Sequence, residues 1–182
     1  GITVADSSAN VTIGNLTATS LAGGTIESAV NISTQDYMLA STSNQTVSDS
    51  TYTAIAYNAV NDPKSWFNNS TKKFTPTKAG KYFVSICFEA YAIDGTATAI
   101  MHKLRCKKND ANADAASAVL HAGFDGRTGA NGYYLWAGGA SGIISMNGSS
   151  DYLFCNFYGN GSSGAIQIFG SNTHFSAVRV GP

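Results

Sequence analysis

The chain has 182 residues, enough for one domain with a small appendage, and its 11 basic and 11 acidic residues cancel to zero formal net charge. Only 12% of residues are charged, about half the share of an average soluble domain, so Ser, Thr, Asn and Gly must supply solubility. Zero net charge without a basic stripe argues against a nucleic-acid or anionic-membrane partner, and no apolar run nears the roughly 18–20 residues of a transmembrane helix.

No signal peptide is visible, and a chain that opens on Gly1 rather than Met is expected to continue upstream. Cys87, Cys106 and Cys155 are too few for a disulfide framework. Each sits in an apolar, strand-like run, which predicts buried free thiols and synthesis in a reducing compartment.

Residues 1–30, "GITVADSSANVTIGNLTATSLAGGTIESAV", contain no aromatic residue and only two charged ones, Asp6 and Glu27. Their apolar positions form thin alternations, Ile2/Val4 and Val11/Ile13 followed by Leu16 and Leu21. One such strand has too little apolar surface to fold alone, whereas several copies wound about a shared axis would complete one another's core. This predicts an extended, intertwined β stem over residues 1–34; a flexible linker is the alternative.

From residue 35 to 182 the texture is that of a compact, all-β domain. Runs rich in Val, Ile, Thr, Tyr and Phe predict strands near 36–41, 52–60, 72–76, 80–92, 97–107, 117–124, 132–137, 141–147, 151–158, 165–169 and 173–180, separated by Gly, Asn, Asp and Ser. That spacing indicates a β-sandwich or jelly roll. In "KYFVSICFEAY", Tyr82, Val84, Ile86 and Phe88 share one face, and Phe83, Ser85, Cys87, Glu89 and Tyr91 the other. Apolar residues on both faces predict a central strand covered twice, once by the opposite sheet and once by a neighbouring subunit.

Catalytic chemistry finds little support. There is no Gly-x-Ser-x-Gly elbow, His102, His121 and His174 are isolated, and the Cys and acidic residues lack zinc or glycosidase spacing. The expectation is a protein with no catalytic residue, no metal and no cofactor. "NDANADAA" places Asp110, Asn112 and Asp114 as a calcium loop would, but Ala115 and His121 stand where such a loop needs Gly and Glu. A polar turn is the reading, with calcium possible but not indicated.

Recognition has better candidates. "FDGRTGANGYYLWAGG" gathers Asp125, Arg127, Asn131, Tyr133, Tyr134 and Trp136 in a Gly-rich segment. Tyr and Trp supply rigid contact area while Asp, Arg and Asn pair with hydroxyls or carboxylates, which suits a sugar or protein epitope. The alternative is an ordinary strand whose aromatics fill an oligomer axis.

"WFNNSTKKFTPTKAGKYFVSICFEA" resembles the signature of C1q-like domains in the C1q/tumour-necrosis-factor superfamily, through Phe67, Asn68, Lys73, Phe74, Pro76, Gly80, Tyr82 and Phe83. "IMHKLRCKKND", "GIISMNGSSDYLFCNFYGNG" and "THFSAVRVGP" resemble further blocks in the same order, with Ala177 where the family usually has Gly. The segment from Arg105 to Gly139 is longer and richer in Gly and Ala than the family pattern, and no collagen-like Gly-X-Y period precedes the domain. Trp66 is assigned to structure beside the aromatic turn. The resemblance implies a jelly-roll homotrimer, with Phe74, Gly80, Tyr82, Phe83, Tyr91, Phe157 and Phe175 in its core or trimer contacts.

The stem's Thr/Ser/Asn/Gly texture resembles that of bacteriophage fibre shafts. Together the two resemblances imply a virion fibre or needle tip, made in the host cytoplasm and displayed on the virion surface, that binds a host glycan or protein and neither nucleic acid nor membrane. The rivals are a capping knob that binds nothing, and a cellular C1q-like lectin or spore-surface protein.

Overall fold

A computed structural model describes residues 36–92, 100–111, 118–126, 135–160 and 166–182. The stem reading of residues 1–34 falls outside them. The described strands are β1 (Tyr37–Ser41), β2 (Gln45–Val47), β3 (Thr53–Ala54), β4 (Asn58–Asn61), β5 (Phe67–Asn68), β6 (Lys73–Phe74), β7 (Ala79–Ala92), β8 (Ile100–Lys108), β9 (Ala118–Gly126), β10 (Leu135–Asn147), β11 (Leu153–Asn160), β12 (Ile166–Ile168) and β13 (His174–Gly181). They form two antiparallel sheets. The seven-stranded sheet runs β2-β12-β7-β13-β1-β4, with β10 on the other edge of β7. The six-stranded sheet runs β5-β6-β11-β8-β9, with β3 also on β11.

The expected central strand is β7, bonded to β10 along one edge and to β12 and β13 along the other. Its alternation sends Tyr82, Val84, Ile86, Phe88 and Ala90 into the core, each 1% exposed or less. They meet Leu104, Cys106, Cys155 and Phe157 of the opposite sheet in one cluster, with the Phe88 ring edge-on to Phe157 at 5.5 Å. Each large side chain buried this way contributes about 1.5–3 kcal/mol. The signature residues form a second aromatic knot: Trp66, Phe74 and Tyr82 pack edge-to-face at 5.8–6.1 Å, and Phe175 closes on Phe74 at 5.8 Å. Trp66 is structural, as expected, its indole N–H donating to Thr77 Oγ1 at 2.9 Å. The turn before Lys73 is set by Asn68, whose Oδ1 accepts from the Ser70 and Thr71 amides at 2.9 Å.

The structure adds the unexpected short strands β2 and β5 and differs in how two stretches are divided. The strand expected at 52–60 is two, because the chain passes from the six-stranded sheet (β3 on β11) to the seven-stranded sheet (β4 on β1). Ile55 and Tyr57 make that crossing inside the core, where Gln45 replaces the missing ladder by bonding Ala54 O and the Ala56 amide, both at 2.9 Å. The strands expected at 132–137 and 141–147 are one. Gly138 and Gly139 read as a turn, but they lie in β10 opposite Phe88 and Cys87, and a Cβ on Gly138 would stand 2.8 Å from the Phe88 ring. That glycine serves packing rather than chain reversal.

At one end the β8–β9 and β10–β11 turns interlock. Asp151 accepts from Asn109 Nδ2 at 2.7 Å, from the Asn147 amide at 2.9 Å and from Lys108 Nζ at 2.8 Å, and Asn109 Oδ1 accepts from the Tyr152 amide at 2.9 Å. The Asn109 hydrogen bond first, and Lys108 next, hold the Asp151 carboxyl below its ordinary value.

Gly80 sits beside the bulge where β13 shifts register between Arg179 and Gly181. Its φ is +149°, and a Cβ there would collide with Gly181 O and stand 2.7 Å from Arg179 Nε. Gly80→Val is expected to cost at least about 3 kcal/mol through strain and overpacking together; loss of soluble, cooperatively melting protein checks this.

His102 lies in the core against Phe157 at 5.3 Å, 0% exposed. Burial lowers its pKa from 6.5 to about 4, against a smaller upward pull from Asp49. The unfolded chain therefore takes up a proton near pH 6.5 that the folded chain refuses until near pH 4. Stability is full above the upper value and declines by roughly 3 kcal/mol as pH falls through that window. Urea midpoints at pH 7, 5.5 and 4 should show the decline, and His102→Leu should flatten it.

Candidate functional site

The predicted recognition segment is only partly described. Asp125 lies at the end of β9 opposite Met101, and Trp136 at the start of β10 opposite Ala90. Arg127, Asn131, Tyr133 and Tyr134 lie outside the described residues. Of the calcium-like run, Asp110 pairs with Lys107 at 3.5 Å, while Asn112 and Asp114 lie outside the described residues. Among the described residues no group of three or more His, Cys, Asp or Glu could hold a metal. The three histidines are scattered: His102 in the core, His121 exposed on β9 and His174 half-buried on β13.

The residues expected in core or trimer contacts divide. Phe74, Tyr82, Phe157 and Phe175 are each 1% exposed or less inside a single chain, so all four are committed to the core. Phe83 and Tyr91 lie on the opposite face of β7. Phe83 is 42% exposed and stands in register with Ile143 of β10, itself 64% exposed, and with Val178 of β13, which in turn pairs with Tyr37 of β1. The result is an apolar row across four strands. The next row is small, Ser141–Ser85–Ser176, ending on exposed Leu39. The third is Gly139–Cys87–His174–Ser41. Small side chains beside a bulky apolar row permit close approach of another backbone. Farther along, Tyr91 stacks on Phe169 at 4.8 Å and bonds Gln167 at 2.6 Å.

The outer face of the six-stranded sheet has a different chemistry. Lys103 and Arg105 alternate on β8, with Tyr158 and Asn156 of β11 as their neighbours in register. Tyr52 packs on Tyr158 at 4.6 Å, the Arg105 guanidinium lies 4.5 Å over the Tyr52 ring, and Lys103 lies 5.9 Å from the Tyr158 ring. Lys73 repeats the arrangement 4.0 Å over Tyr152. His121 faces Arg105 across β8–β9; burial, then Arg105 and Lys103, lower its pKa. Lys103 and Arg105 come from an every-other-residue run, Lys103, Arg105, Lys107, which a strand turns to one side, but Lys107 is 0% exposed and paired with Asp110, so no continuous basic stripe results.

No family model matches the chain, and no curated protein matches it. Solved structures do. Eiger TNF from S. frugiperda superposes with a TM-score of 0.57 at 9% identity, over 80% of this chain and 92% of that one. Murine APRIL at pH 5.0 gives 0.55 at 9% identity, over 80% and 99%. The globular domain of the zebrafish complement 1qA protein gives 0.51 at 14% identity, over 80% and 97%. Two antiparallel sheets with this connectivity and these structural neighbours give the chain the TNF/C1q-like jelly-roll fold expected from its sequence blocks.

Proposed function

We propose that the chain is the non-enzymatic, homotrimeric head of a virion fibre or needle, and that it contacts a glycan or protein on a host surface. The observation that carries the self-association is the apolar row Ile143–Phe83–Val178–Tyr37 on the outer face of the seven-stranded sheet, with Ile143 and Phe83 exposed and Val178 and Tyr37 half-buried. An apolar stripe spanning four strands beside rows of Ser and Gly is an unfavourable surface to leave in water. Cyclic closure with two further copies covers it without leaving a heterologous surface exposed. The fold supports the same reading, since the neighbours include TNF and complement 1qA domains. Three identical weak sites on one rigid head then gain avidity together.

Light scattering should give three times the 18.9 kDa chain mass. Phe83→Asp, which puts a charge in the apolar row, should shift the protein to single chains while far-UV dichroism stays β. A wild-type protein that remains a single chain at micromolar concentration overturns the trimer. Trp136→Ala should weaken attachment to host surface material by about tenfold, the scale of an aromatic anchor, without dissolving the trimer. A Trp136→Ala protein that dissociates would instead place that residue in the subunit interface. A head that captures nothing in a pull-down is a capping knob.

A further inference from the structure

We infer that Cys106 of β8 and Cys155 of β11 form a cross-strand thiol pair that closes to a disulfide when the chain folds in the presence of a low-molecular-weight disulfide, stapling the middle of the six-stranded sheet. This goes beyond the proposed function and rests on neither the trimer nor the host surface.

Three observations carry it. First, the two cysteines stand directly opposite each other inside the β8–β11 ladder, with paired residues on both sides of them. Second, the pair is of the kind that brings side chains together. Antiparallel pairs alternate between those that exchange backbone hydrogen bonds and those that do not, and the latter have the closer side chains, with Cα atoms about 4.5 Å apart. The Asn109 amide donates to Tyr152 O at 2.9 Å, which makes that an exchanging pair, and the alternation carried along the ladder makes Cys106–Cys155 a non-exchanging one. Cys155 O agrees, since it is turned to the other edge of β11 and accepts from the Ile55 amide at 3.2 Å. A Cα separation of about 4.5 Å lies at the short end of the disulfide range of about 4.4–6.8 Å, so closure needs side-chain rotation and no change of register. Third, nothing stands between the sulfurs. The two thiols are hydrogen-bonded to each other and lie in the core, Cys106 0% and Cys155 4% exposed. Joining sulfurs that already touch, with loss of their hydrogens, opens no cavity and buries no polar group.

The third thiol is kept apart. Cys87 is half-buried on the outer face of β7, in a row with Gly139 and His174, so it is no competitor for either partner.

The exchange balances. One cysteine thiolate attacks a sulfur of the small disulfide and displaces one thiolate from it, leaving a mixed disulfide. The second cysteine thiolate then displaces the other half. The products are the Cys106–Cys155 bond and two small thiols, which carry away the two electrons and two protons. Burial first, and then its Cys106 neighbour, raise the Cys155 pKa. A closed core therefore holds little of the attacking thiolate, which places the exchange in the folding chain. The buried free thiols expected from the sequence are the reduced state of this pair, kept by reducing surroundings.

The test is refolding of full-length Cys87→Ser from urea into reduced glutathione alone and into mixed reduced and oxidised glutathione, followed by acid quench, mass measurement and alkylation in denaturant. The oxidising mixture should give a chain about 2 Da lighter that takes up no alkylating reagent, and dithiothreitol should reverse both results. Its urea midpoint should lie about 1 M above that of the reduced form, the scale of closing a loop of about fifty residues. Adding Cys106→Ala should abolish the difference between the two conditions. Wild-type protein should yield peptides linked through Cys106 and Cys155, which keeps the test open should Cys87→Ser fail to fold. Free thiols or glutathione adducts at Cys106 and Cys155 in the oxidising mixture, a wild-type link through Cys87, or an oxidised form no more resistant to urea than the reduced one overturns the inference.

Discussion

Everything in this domain depends on a strand that is apolar on both sides. β7 supplies five inward side chains to the core and pairs along both of its edges. Its outward face then presents Phe83 at the centre of a four-strand apolar row. The inward set explains why a chain with so little charge folds. The outward set is the ground for the proposed self-association, since a single copy leaves Phe83 and Ile143 in water.

The two sheets divide the work. The seven-stranded sheet turns hydrophobic and small residues outward. The six-stranded sheet holds cations over tyrosines on its outer side. The division follows from the period of two: neighbours in "KLRCKK" separate into Leu104 and Cys106, buried at 0% exposure, and Lys103 and Arg105 on the other side.

Much of the fold was legible in the sequence, for physical reasons that differ by residue. β7 could be read because a long run of strand-favouring residues, Tyr82 to Tyr91, carries no turn signal. The Trp66–Phe74–Tyr82 knot could be read from its resemblance to a known signature. The crossing at Ile55–Tyr57 could not, since a chain that changes sheets keeps the same β-favouring residues while its partners change. β2 and β5 are three and two residues long and exist only through tertiary pairing. Gly138 and Gly139 misled because glycine signals a turn locally, and only the Phe88 ring, fifty residues away in sequence, shows why none is made. The site was less legible than the fold: of the aromatic Gly-rich segment only Asp125 and Trp136 fall in described strands, and the cations of β8 do not show in a net charge of zero.

The placement of the first described strand has a mechanical consequence. β1 lies between β13 and β4, paired to β13 at five successive positions. Asp36 just ahead of it is clamped by Lys78 at 2.9 Å, and its carbonyl accepts from the Arg179 amide at 2.7 Å. Tension entering at Asp36 and directed along β1 would load that ladder in shear across its five paired positions, whereas tension drawing Asp36 away from the end of β13 would open the pairs one by one from Tyr37–Val178. The strength of this end is therefore set by the direction of the pull.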